Sequence, residues 1–300
     1  MGFPGLVNAA SAFANHIRPR CPDPANAPAH FALGVAPVAA TPCAAMPGLP
    51  LPLSLSVVAC DAEASLRRCL ASAAALAEEI VVVDSGSKDG TRAVAAEFGA
   101  RVIHQDWLGH SAQKQVALGH CTRPWVLVLD ADEEVSAELR AAILGFFAEG
   151  NAERSAGATM PRRTWFLGRW ITHGDWYPDR KLRLFRRDRV RSAGSPEHDK
   201  FEVEGATTLL AGDLLHYSFR DMRHYMEKQM VFTDSFLQRG GGFSLFQAVA
   251  RPLWRFFRAY VLKLGVLDGF PGLWIAVATA FYTFVRYSRA FLADENPRGL

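Results

Sequence analysis

Asp84, Asp130 and Asp132 each stand at the end of a short apolar run, a setting in which acids do chemistry on charged ligands. The first run is Val81-Val82-Val83, which ends in Asp84-Ser85-Gly86-Ser87-Lys88-Asp89-Gly90-Thr91. The second is Val126-Leu127-Val128-Leu129, which ends in Asp130-Ala131-Asp132-Glu133-Glu134. Both read as buried strands that stop abruptly in carboxylates. In an open α/β sheet, ligands bind just beyond the carboxyl ends of the strands. Two such ends gather Asp84, Asp130 and Asp132 at one crevice. Carboxylates there suit a hard divalent cation, Mg²⁺ or Mn²⁺, carrying a phosphorylated ligand. On an exposed loop the Asp-x-Asp pair would be a solvated turn; at a strand end both carboxylates can face the ligand.

The loop after Asp84 has turn chemistry of its own. Gly86 and Gly90 permit a tight turn close to a ligand. Ser85, Ser87 and Asp89 suit turns, and Ser87 or Asp89 could cap the next helix. Asp84 differs, because a carboxylate closing a valine run needs a partner. The loop is neither a Walker A loop nor GxGxxG, which counts against a P-loop NTPase and a dinucleotide dehydrogenase.

The elements that must position these acids alternate. Strands at 53–59, 79–84, 100–104 and 125–129 are separated by helices at 62–77, 91–98 and 111–119. A helix at 136–147 follows, capped by Ser136 and ended near Gly150. That rhythm implies βαβ units and a Rossmann-like, mostly parallel sheet. After residue 157 shorter strands at 159–165, 181–186, 201–203 and 209–216 read as an antiparallel extension over the ligand edge. Helices follow at 221–238, 245–267 and 273–291, the last two separated by Gly269-Phe270-Pro271-Gly272.

Bulk properties exclude some classes. A net charge of +3 over 300 residues gives no case for nucleic acid. The five cysteines are scattered and lack CxxC spacing, which fits a reduced, cytoplasmic chain rather than a disulfide framework or zinc site. The Ala/Pro-rich first 52 residues read as a poorly ordered extension. Residues 270–285 carry no charge, yet are shorter than the ~20 residues a spanning helix needs. Trp254, Arg255, Phe256, Phe257, Arg258, Tyr260 and Lys263 give the preceding helix a basic, aromatic character, the composition of a helix lying in a membrane interface.

Residues 55–135 resemble the nucleotide-sugar-binding half of family 2 glycosyltransferases, which have the GT-A fold. The resemblance continues through Trp165-Phe166-Leu167-Gly168-Arg169-Trp170, through Trp176-Tyr177-Pro178-Asp179-Arg180-Lys181-Leu182-Arg183-Leu184-Phe185-Arg186, and through His198-Asp199-Lys200 and Leu215-His216-Tyr217. This set is similar to the lipopolysaccharide-core branch of β-1,4-glucosyltransferase-like enzymes. It covers about residues 53–292. The implied organisation is an extension at 1–52, a GT-A catalytic domain at 53–220 and a membrane-associating helical region at 221–300.

The resemblance implies site roles. Asp84 and Ser85 would meet the uracil or ribose of a UDP-sugar, with Asp61 and Glu63 beside the nucleoside. Asp130 would face the ribose and metal side, and Asp132 would bind the cation that bridges the diphosphate. Gln113 and Lys114 would lie near the donor. The family's Lys-Asn-Glu-Glu is here Cys60-Asp61-Ala62-Glu63, and its Gln-Lys-Asn is Gln113-Lys114-Gln115. Inverting transfer needs a carboxylate to take the acceptor hydroxyl's proton. Asp199 stands where the family places an acid after His; Glu197 is its rival, and His198 the third candidate. Lys114, Lys200 or His216 could assist the leaving UDP.

The run Arg180, Lys181, Arg183, Arg186, Arg187, Arg189 and Arg191 reads either as a solvated strand or as a basic rim for a phosphorylated glycolipid acceptor or anionic membrane. Trp165, Trp170, Trp176 and Tyr177 either stack on sugar faces or pack. The expected activity is inverting, metal-dependent transfer of a hexose, with glucose the candidate, from a UDP-sugar to a lipopolysaccharide-core or related glycolipid acceptor. The expected location is peripheral on the inner face of the cytoplasmic membrane. The alternatives are a nucleotidyltransferase with a similar sheet, or a non-catalytic membrane-associated nucleotide-sugar-binding protein.

Overall fold

A computed structural model describes residues 50–192, 200–219, 221–238 and 242–295. The extension expected at residues 1–52 therefore lies almost wholly outside the described residues. Strand β1 (Leu51–Ala59) begins two residues ahead of the expected boundary. It is followed by α1 (Glu63–Ala73), β2 (Ala77–Asp84), α2 (Thr91–Glu97), β3 (Arg101–His104), α3 (His110–His120) and β4 (Trp125–Asp130). Next come β5 (Glu133–Val135), α4 (Ala137–Ala148), the single turn α5 (Asn151–Arg154), β6 (Gly157–Phe166), β7 (Arg169–Trp170) and β8 (Asp179–Arg186). Short strands β9 (Val190–Ser192), β10 (Phe201–Val203), β11 (Thr207–Leu209) and β12 (Leu214–His216) precede helices α6 (Met222–Gln238), α7 (Leu245–Phe257) and α8 (Gly269–Glu295).

The main sheet runs β3-β2-β1-β4-β8-β6-β12-β5. Its first four strands are parallel, and β8 then pairs antiparallel to both β4 and β6. This is the expected parallel nucleus with an antiparallel extension. Val81, Val82 and Val83 are all buried because helices cover both sheet faces. One face packs Leu55 and Val57 with Leu66 and Leu70 of α1 and with Leu139, Ile143 and Phe146 of α4. The other packs Val126 and Val128 with Cys121 and Phe185.

Ser136 caps α4 as expected: its hydroxyl accepts from the Leu139 amide at 3.1 Å and also from the Asp213 amide at 3.2 Å. Ser136→Ala orphans both donors and is expected to cost about 1–2 kcal/mol of stability, read from urea unfolding midpoints.

Three expectations are corrected. The segment 209–216 is two strands, broken at Gly212, whose φ of +81° favours glycine and where an added Cβ would lie 2.2 Å from the Leu139 amide nitrogen. Glu133–Val135 is a strand, too short to read from sequence, that pairs with β12. The break between the last two helices is at 258–268, a π turn and a 3-10 turn, and not at Gly269-Phe270-Pro271-Gly272, which opens α8. The reason is close packing: a Cβ on Gly272 would sit 1.9 Å from the Gly265 carbonyl oxygen. Asp268, fully buried, fastens that break to the loop after β7 by accepting from the amides of Thr172 and His173.

Candidate active site at the strand ends

Register places the acids side by side. Ala59 of β1 pairs with Asp84 of β2, and Val58 pairs with Asp130 of β4. The loops beyond β1 and β2 are zipped together. The amides of Asp61, Ala62 and Glu63 donate to Ser87 Oγ, Thr91 Oγ1 and Asp89 Oδ2 at 2.9, 2.7 and 3.0 Å. In return Asp61 Oδ1 accepts from the Lys88 amide at 2.5 Å, and Glu63 Oε2 from the Gly90 amide at 3.1 Å. Asp89 serves both helix starts, since its Oδ1 also accepts from the Thr91 amide. Gly86 has φ +89° and needs glycine for its backbone. Gly90 does not: a Cβ there would lie 2.6 Å from the Glu63 carboxyl carbon, so what it supplies is room for that side chain.

Asp84 is fully buried, and its carboxylate accepts from the amides of Gly86 and Ser87 at 3.2 Å. Its partner is its own loop. Gln113 is likewise buried and donates to Ser85 Oγ and the Gln105 carbonyl, both at 2.9 Å. It ties the β2 loop to α3.

Asp130 is held on both oxygens. Lys114 Nζ reaches Oδ1 at 2.5 Å, and Arg183 Nη2 reaches Oδ2 at 2.6 Å. Burial opposes its ionisation, but Arg183 and Lys114 outweigh it and hold the carboxyl well below the usual carboxylate range. The same Arg183 nitrogen reaches Glu133 Oε1 at 2.7 Å, and Arg162 lies between Glu133 at 3.4 Å and Asp179 at 2.7 Å. Charges thus alternate from Lys114 through Asp130, Arg183, Glu133 and Arg162 to Asp179. The sequence reading put Arg183 in either a solvated strand or a basic rim; it is 3% exposed and faces inward because β8 alternates its side chains across the sheet. Glu133 and Arg162 were missed altogether.

Asp132 is the member left open. It sits in the turn between β4 and β5, with its side chain 38% exposed and Oδ2 3.5 Å from His216 Nε2. Burial opposes its ionisation too, and the His216 contact wins, drawing the carboxyl below its ordinary value. His216 ends β12, and its Nδ1 is buried with no hydrogen-bond partner among the described residues. It also lines a cleft of about 310 Å³ whose walls include Arg162, Asp175, Trp176, Asp179 and Phe219.

Both aspartates, having lowered values, contribute stability that is fully present above the ordinary carboxylate value of 3.8 and is lost as pH falls through the lowered ones. Melting temperature is therefore expected to be insensitive to these groups above about pH 5 and to fall progressively below about pH 4, followed by circular dichroism.

Among the described residues no group of three or more His, Cys, Asp or Glu is arranged to hold a metal ion. Asp130, expected on the metal side, has both oxygens in ion pairs. The open Asp132 carboxylate nonetheless suits a hard divalent cation such as Mg²⁺ or Mn²⁺, with His216 beside it to orient the carboxylate. Glu197, His198 and Asp199 lie outside the described residues. Lys200 is exposed and pairs with Glu202 at 2.9 Å. Of the aromatic residues, Trp165 packs on Trp170, and Trp176 packs among Phe166, Phe219 and Tyr225. The Tyr177 hydroxyl donates to Asp213.

Comparison with known proteins gives the family to which this sheet belongs. A family model described as Glycosyl transferase family 2 matches residues 54–201. The lipopolysaccharide core biosynthesis glycosyltransferase LpsC of Rhizobium meliloti is 30% identical over 252 residues, covering 80% of this chain and 92% of that protein. An uncharacterised glycosyltransferase of Rickettsia typhi is 28% identical over 250 residues, covering 79% and 86%. Among solved structures, S. aureus TarS 1–349 in complex with UDP-GlcNAc aligns at a TM-score of 0.43 and 13% identity, over 80% of this chain and 92% of that one. With a mixed sheet of the GT-A type, the chain belongs to glycosyltransferase family 2.

Proposed function

We propose that this glycosyltransferase moves a hexose from a UDP-sugar, with inversion and with a divalent cation, to a lipopolysaccharide-core or related glycolipid acceptor at the cytoplasmic face of the membrane. One observation carries the reading. Of the three strand-end aspartates, Asp84 is closed by its own loop and Asp130 by two cations, while Asp132 keeps an open carboxylate beside His216 and the cleft. The acceptor class is supported by the relationship to LpsC, a lipopolysaccharide core biosynthesis glycosyltransferase.

Asp132, oriented by His216, would hold Mg²⁺ or Mn²⁺, which when bound offsets the charge that develops on the departing diphosphate. Lys114 and Arg183 keep Asp130 ionised and fixed at the end of β4. The zipped loops after β1 and β2 set the floor for the nucleoside. The cleft beside His216 receives the acceptor. A carboxylate from 197–199, Asp199 or Glu197, takes the proton of the attacking hydroxyl as the new bond forms.

The nucleotidyltransferase alternative loses ground for a structural reason. It needs free amides after β1 to hold a triphosphate, and those of Asp61, Ala62 and Glu63 are already bonded to the neighbouring loop. The test is release of nucleoside diphosphate from a panel of UDP- and GDP-sugars, with and without Mn²⁺ or Mg²⁺. Metal-dependent turnover of one UDP-sugar supports the reading and names the sugar. No turnover and no metal-dependent binding of any nucleotide sugar would overturn it.

A further inference from the structure

Seventeen of the twenty-one exposed large apolar side chains recorded for the described residues fall between Leu245 and Leu292. On α7, Leu245, Val249, Leu253 and Phe257 recur every four residues, a stripe along one face. On α8, Phe270, Val277, Phe284 and Phe291 recur every seven, with Phe281 on the same side. The two helices pack against each other. Between them the turns at 258–268 add exposed Val261, Leu262, Leu264, Val266 and Leu267. A soluble surface rarely gathers this much apolar area without a partner.

Charge indicates what that partner is. From residue 245 to 292 the sequence holds six basic residues (Arg251, Arg255, Arg258, Lys263, Arg286, Arg289) and a single acid, Asp268, which is fully buried. Arg258 and Lys263 are already paired with Asp175, yet a second copy docking by the same face would still bring the exposed Arg251 and Arg255 of each copy together with no acid of 245–292 to receive them. Anionic lipid headgroups do receive them. Crossing the bilayer is a different matter. Residues Gly265–Leu292 are long and apolar enough by length and composition. Yet Ile275 and Ala278 of α8 are buried in one cluster with Phe166 of β6, in the main sheet, and Tyr225 of α6. A helix carrying a folded domain along one side lies on a membrane.

We propose that the α7–α8 face docks flat onto an anionic bilayer leaflet, with its apolar stripes in the acyl boundary and the exposed Arg251 and Arg255 at headgroup level. The same segment braces the cleft from behind: Arg258 Nη1 and Lys263 Nζ hold Oδ1 of Asp175, a lining residue, at 2.7 and 3.1 Å. Docking therefore sets the cleft beside the leaflet in which a lipid-anchored acceptor would sit. The docking itself does not rest on the proposed sugar transfer, because vesicle binding reads no chemistry.

The experiment uses the full chain purified without detergent, sedimented with phosphatidylcholine vesicles with or without about 30% phosphatidylglycerol. Binding is expected to the anionic vesicles, about tenfold weaker to phosphatidylcholine alone, and reversed by an alkaline carbonate wash. Leu253→Glu with Phe257→Glu is expected to weaken it about tenfold, and Arg255→Glu severalfold, with unchanged thermal melts, since all three side chains are exposed. No binding to either vesicle overturns the proposal. So does a dimer in light scattering that the double substitution dissolves, which would make a second copy the occupant. Retention through the carbonate wash overturns it in favour of a spanning helix.

Discussion

Asp132→Ala is expected to lower kcat for sugar transfer by about a thousandfold, about 4 kcal/mol of transition-state stabilisation. The fold should stand, because the side chain is 38% exposed and its one ion pair, with His216, is 3.5 Å long. On the proposed function, what is lost is the open carboxylate that would hold the cation. Asp132→Asn keeps the shape, removes the charge and should fall nearly as far. Two readouts separate a functional from a structural loss. Chelation of divalent ions should abolish wild-type activity while leaving the residual activity of the alanine variant unchanged, and the variant should keep a cooperative thermal melt lowered only by the small contribution of the Asp132–His216 pair. Wild-type activity undiminished by chelator, or full activity in the alanine variant, removes Asp132 from the machinery. Asp130→Ala is the informative contrast. It strips Lys114 and Arg183 of a shared partner, so lost activity there should come with lost stability.

The parallel nucleus was legible because its signals are local. Val81–Val83 and Val126–Leu129 are unbroken apolar runs, and each stops where the chain must leave the sheet. The cap at Ser136 and the helix between Thr91 and Glu97 were readable for the same reason. The ion-pair chain was not. Asp130 and Arg183 are 53 residues apart, and they meet only because β8 runs antiparallel beside β4. No periodicity encodes that register. One signal was available: Lys181 and Arg183 are alternate residues of a short strand otherwise rich in core residues, and inward-facing cations there require buried acids. Asp84 read as a ligand group awaiting a partner, yet glycine at 86 lets the chain fold back so that backbone amides reach it. The open state of Asp132 likewise depends on β5, three residues long, pairing with β12 to bring His216 opposite Glu133.

Arg183→Met should be the most destabilising single change at the site, by about 3–5 kcal/mol, equivalent to a drop of about 10 °C in melting temperature. Methionine fills much of the same volume, so packing is nearly retained and the loss is electrostatic. Glu133 is fully buried, and without Arg183 its one recorded cation among the described residues is Arg162, at 3.4 Å, beside the Asp130 amide that donates to Oε2 at 3.0 Å. Asp130 keeps Lys114 alone. A buried carboxylate stripped of its counter-ion costs far more than the intact pair contributes, because its desolvation is already incurred. Arg183→Lys should recover little, since a single ammonium cannot span Asp130 and Glu133 as the guanidinium does. Combining Arg183→Met with Glu133→Gln should recover a substantial part of the loss, because the orphaned charge is removed with its partner. The contrast is Arg67→Ala, which breaks an ion pair whose side chains are about half exposed and should leave the urea midpoint essentially where it was. If Arg183→Met and Arg67→Ala shift that midpoint equally, the alternating chain of charges behind Asp132 is not what holds the strand ends together.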